Sequence, residues 1–69
     1  MSRKIHSTTP LDDDDKLVIE DDGLFYYWRI FRFSTGRNYL TSQTPFETPQ
    51  KACLDAKTLW NNKDEMELD

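Results

Sequence analysis

Side chains able to do covalent chemistry are sparse in this chain. His6 and Cys53 are the one histidine and the one cysteine among 69 residues. A metal site or proton relay at His6 needs a second His or Cys at ligand spacing, and the sequence offers none. Cys53 falls on the apolar stripe of a predicted helix, where it reads as a small buried hydrophobe rather than a reactive thiol. The run Asp12–Asp15 concentrates carboxylates without the calcium-loop pattern. Such a loop alternates its ligands, turns on a glycine and closes on a glutamate, whereas Lys16 follows here. With Gly23 and Gly36 as the only glycines, no phosphate-cradling loop can form. The steps Thr9-Pro10, Thr44-Pro45 and Thr48-Pro49 read as turn and cap chemistry, with Thr9 left open to proline-directed phosphorylation. No nucleophile–base or acid–base pair can be assembled. The sequence predicts no catalytic residue, no cofactor, no metal and no enzyme.

What remains is recognition, and it concentrates in FYYWRIFRF, Phe25 to Phe33. Six of these nine residues are aromatic and two are arginines. A strand sends alternate side chains to opposite faces. Leu24, Tyr26, Trp28, Ile30 and Arg32 point one way, and Phe25, Tyr27, Arg29, Phe31 and Phe33 the other. Both sets are rich in apolar groups, yet a single helix covers one face only. The first set, with no charge between Trp28 and Ile30, is assigned to the helix. The second set, together with Arg37 and Tyr39, is the predicted partner-binding surface. Large exposed apolar patches mark interfaces, and Tyr, Trp and Arg dominate their hot spots. The same composition also suits a stacking platform for single-stranded nucleic acid.

The elements that must position this strand follow from periodicity and punctuation. Leu17–Glu20 is a short apolar strand, and Asp21-Asp22-Gly23 supplies the turn. Leu24–Phe33 is the long central strand. Ser34–Arg37 turns again at Gly36, and Asn38–Gln43 is a third strand, with Tyr39 and Leu40 on opposite faces. Pro45 ends it. Thr48 caps a helix that Pro49 begins. Ala52, Cys53, Ala56, Leu59 and Trp60 form its apolar stripe, with Gln50, Lys51, Asp55, Lys57 and Thr58 on the other side. The predicted fold is α+β, a three-stranded antiparallel meander (β-β-β-α) with one C-terminal helix packed on one sheet face. Residues 1–16 read as a disordered acidic arm, 17–62 as the domain and 63–69 as an acidic disordered tail.

Charge and size narrow the partners. The net charge of −4 averages +2 over residues 1–10, −6 over 11–23, +3 over 24–60 and −3 over 61–69. A mildly basic middle thus lies between acidic segments, which disfavours nucleic acid although Arg29, Arg32, Arg37, Lys51 and Lys57 could contact phosphate. A lone cysteine, no apolar leader and no membrane-length run predict a cytoplasmic protein with no membrane partner. Chains this small commonly need a staple or a second subunit.

The residues Asp22-Gly23, Tyr27-Trp28-Arg29-Ile30, Gly36, Leu40, Ser42, Phe46, Thr48 and Ala52 resemble the small bacterial YegP-like module over about residues 17–60. The resemblance implies a β-β-β-α unit that pairs with a second copy, and it implies no defined activity. Thr35 and Gln43 depart from the Asn and Glu usual in that pattern. The function expected from all of this is a small non-enzymatic protein-interaction module or regulator, homodimeric through the open sheet face. The alternatives are a nucleic-acid binder using the basic aromatic face, or a small inhibitor of a larger enzyme.

Overall fold

The computed structural model describes residues 3–42 and 44–62. Four strands and one helix follow in order: β1 (Lys4–Pro10), β2 (Asp15–Asp21), β3 (Tyr26–Arg32), β4 (Arg37–Thr41) and α1 (Pro49–Asn61). All neighbours pair antiparallel, and the strand order across the sheet is the chain order.

The α+β class and the helix packed on an antiparallel sheet match the sequence reading. The strand count does not, because there are four strands and not three. Residues 4–16, expected within a disordered arm, form β1, a turn and the start of β2. Every side chain of β1 is exposed, so no hydrophobic alternation announces it. Its stabilisation comes from backbone pairing with β2, from Lys4 opposite Asp21 to Pro10 opposite Lys16. The acidic run is equally ordered. Asp12 Oδ1 accepts the backbone N–H groups of Asp14 and Asp15, both at 2.8 Å. Asp14 accepts Ser34 Oγ–H at 2.7 Å and Ser34 N–H at 2.9 Å, clipping the β1–β2 turn to the β3–β4 turn. Of the adjacent carboxylates that would repel in an extended arm, Asp12 and Asp14 here accept turn amides and Asp15 pairs with Arg32. The expected tail, 63–69, lies outside the described residues.

The core lies between the sheet and α1. Register sets Leu17 opposite Ile30 and Ile19 opposite Trp28. These four close on Ala52 and Ala56, all of them buried. Two alanines on the facing side of α1 let the helix approach the sheet closely, leaving room for the indole. Trp28 and Ile30 thus face the helix, as the charge-free centre of the strand predicts. Cys53, Leu59 and Trp60 pack at the edge of this core, completing the expected stripe.

Local chemistry fixes the ends of α1 and the turns. Thr48 Oγ1 accepts Lys51 N–H at 3.2 Å, and Asn62 N–H closes the far end on the Thr58 and Leu59 carbonyls. The segment before the helix is tied to the sheet by two reciprocal backbone bonds between Tyr26 and Phe46, both 2.8 Å. Gly23 and Gly36 take positive φ, 97° and 68°, in the turns where both were expected.

The outer face of the sheet as a candidate interface

The register assigns the face turned away from α1. It carries Ile5 and Thr8 of β1, Lys16, Val18 and Glu20 of β2, Tyr27, Arg29 and Phe31 of β3, and Asn38 and Thr41 of β4. The sequence reading left this face broadly bare. The structure shows it half roofed by the protein's own polar side chains. Val18 at its centre is 1% exposed, and Tyr27 and Phe31 are half-buried.

The roof has two parts. At one end the Arg3 guanidinium lies 3.6 Å from the centre of the Tyr27 ring, a cation–π contact. Glu20 forms an ion pair with Arg29, Nε to Oε2 3.2 Å, and lies 3.8 Å from Arg3. Arg29 Nη1 also donates to Asn38 Oδ1 at 3.1 Å. Tyr27 is anchored by its hydroxyl, which donates to Asp22 Oδ2 at 3.0 Å. That bond raises the phenol pKa above its ordinary value. Asp22 also accepts Phe25 and Leu24 N–H, and these bonds hold its carboxyl below the usual range.

The other part is more open. Phe31 and Phe33 meet edge to face with ring centres 5.6 Å apart, and Lys16 Nζ lies 5.5 Å from both rings. Phe33 is 54% exposed. Its backbone N–H is held by the Asp14 carbonyl at 2.8 Å, so the ring is presented from a fixed position.

The predicted surface residues therefore separate. Tyr27, Arg29, Phe31 and Phe33 come together on the outer face. Phe25 does not join them. It belongs to the β2–β3 turn and, with Asp21, Leu24, Tyr26 and Glu47, lines a hollow of about 200 Å³. Phe25 and Phe33 stand at opposite ends of the strand, roughly 26 Å apart at strand rise. Tyr39 is also displaced. A register shift between Ile30 and Phe31 turns it to the helix side, where it packs against the core and meets Trp60 edge to face at 6.2 Å. Both Tyr39 and Leu40 thus serve the core, correcting the opposite-face reading. Arg37 does not join the outer-face residues either: it is exposed at the start of β4, opposite Arg32 and so on the helix side of the sheet.

Two interactions escaped sequence reasoning. The buried Trp28 donates its indole N–H to Asp55 Oδ2 at 2.9 Å, drawing that carboxylate inward from the polar side of α1. The signal available was the rule that a buried indole needs an acceptor. Asp15, 1% exposed, receives Arg32 Nε at 3.0 Å and Nη2 at 3.4 Å. Arg32 also stacks 4.0 Å from the Tyr39 ring centre, and its pKa is raised first by the Asp15 bond. A buried carboxylate is tolerated only with such a partner.

The remaining candidates do not converge on a reaction centre. His6 meets Tyr26 edge to face at 5.4 Å, and Cys53 is half-buried. Among the described residues, no three His, Cys, Asp or Glu side chains are placed to hold a metal, and no helix is long and apolar enough to cross a membrane. Comparison with protein-family models, with curated proteins and with solved structures finds no match.

Proposed function

We propose that this protein is a small non-enzymatic interaction module that regulates a partner protein by docking on the outer sheet face, at its Phe31–Phe33 end. One observation carries the reading. A ring pair with Phe33 more than half exposed, flanked by Lys16 and backed by the Arg29–Glu20 ion pair, stands at the end of the central strand β3. Burying an exposed Phe is worth roughly 1.5–3 kcal/mol, and the neighbouring fixed charges add specificity around it.

The alternative of nucleic-acid binding finds less support. Arg29 is held by Glu20, Arg32 by Asp15, and Lys51 lies 3.8 Å from Glu47. Arg29 lies on the outer face, Arg32 on the helix side and Lys51 on α1, so these cations share no single surface. Phosphate binding draws on unneutralised, convergent charge.

The test is retention of a partner from extracts of the producing cells by the immobilised chain. Phe33→Ser and Arg29→Ala should each weaken retention at least about tenfold, as hot-spot losses do. Lys57→Ala, on the exposed side of α1, should leave it unchanged. Equal retention by all variants would remove the outer face from the account.

A further inference from the structure

We propose that β1 is a self-association edge, pairing antiparallel with β1 of a second copy to join two sheets into one. Among the described residues the strand pairs with β2 along one side only, so alternate backbone N–H and C=O groups along its other side face outward. All its residues are exposed, and its middle, Ser7-Thr8-Thr9, carries no charge to repel an approaching strand. Of the features that guard edges, Lys4 and Pro10 sit at its ends, and a register shift at His6, between Ile5 and Ser7, precedes the uncharged stretch.

Charge selects a second copy as the occupant. Arg3 and Lys4 stand at the start of the strand, and Asp12 and Asp13 in the turn at its end. Antiparallel pairing about a two-fold axis at Thr8 sets Arg3 and Lys4 of each copy across from Asp13 and Asp12 of the other. Both ends are then complementary at once, as a self-matching interface requires. Parallel pairing would instead align like charges. β4, the opposite edge, is shorter, at five residues against seven. The joined sheet would carry two outer faces side by side, offering a partner two docking sites. The inference stands apart from the docking reading, because the two use different residues.

Sedimentation velocity of the full chain tests it, at low and high ionic strength across a concentration series. The expected result is a monomer–dimer equilibrium that weakens with salt. Lys4→Glu and Asp13→Lys should each raise the dimer Kd roughly tenfold, and the double charge swap should restore it. Phe33→Ser should leave the dimer intact. A monomer at every concentration in low salt would overturn the proposal, as would failure of the swap to restore pairing. A dimer lost on Phe33→Ser and indifferent to Lys4 would also overturn it, and would place self-association on the outer face instead.

Discussion

At the scale of single residues, carboxylates do much of the structural work in this acidic chain. Asp12 and Asp22 each accept two backbone N–H groups in a turn. The folded pKa of both lies below the ordinary 3.8, chiefly through the Asp14 N–H for Asp12 and the Phe25 N–H for Asp22. A depressed folded pKa means that the stabilisation is complete above the unfolded value. It shrinks as pH drops below about 3.8 and is gone once pH has passed the folded value. Thermal melts across that acid range should therefore fall more steeply for the parent than for Asp22→Asn. Parallel slopes would show that Asp22 is not linked to folding. Asp55 offers a second check. Replacing it with Ala strands the Trp28 indole N–H in the core, at a cost of about 1–3 kcal/mol. Asp55→Asn keeps an acceptor and should recover most of that loss in urea unfolding.

At the scale of elements, the legible parts were those whose side chains face a core. The stripe of α1 follows from Ala52, Cys53, Ala56, Leu59 and Trp60, and its start from Thr48-Pro49. Thr48→Ala should cost about 1 kcal/mol, and Ala56→Leu, which overfills the contact with the sheet, about 1–3 kcal/mol. Chemical denaturation measures both. β3 was legible for the same reason, since Trp28 and Ile30 declare the buried side. β1 was not, because all its side chains are exposed and backbone pairing leaves no periodic trace in the sequence. The opposite-face reading of Tyr39 failed because a single register shift reverses alternation, and nothing in Arg37–Thr41 announces one. Asp12–Asp15 misled because charge repulsion is visible in a sequence while turn amides that quench it are not. If β1 belongs to the fold, hydrogen exchange will show protected amides along both sides of β2. Removing residues 1–10 should expose Val18 and abolish that protection on one side; unchanged exchange would contradict the four-stranded sheet.

At the scale of the whole molecule, the sheet separates two tasks that the sequence presents as one aromatic run. Its inner face spends Trp28 and Ile30 on the helix. Its outer face holds Tyr27 under Arg3 and presents Phe33 in the open, with Lys16 beside it. Of the surface residues expected from alternation, Tyr27, Arg29, Phe31 and Phe33 are neighbours on the outer face, while Phe25, Arg37 and Tyr39 lie elsewhere. It is less bare than alternation implies because the long charged side chains of Arg3, Lys16 and Arg29 lie over apolar neighbours. The central claim, that the protein works by docking at the Phe31–Phe33 end, is tested most directly by a photoreactive phenylalanine analogue at position 33, with position 57 as the control. Irradiation in the producing cells should yield one discrete adduct from position 33 and none from position 57. Equal labelling at both positions, or no adduct at 33, would contradict the account.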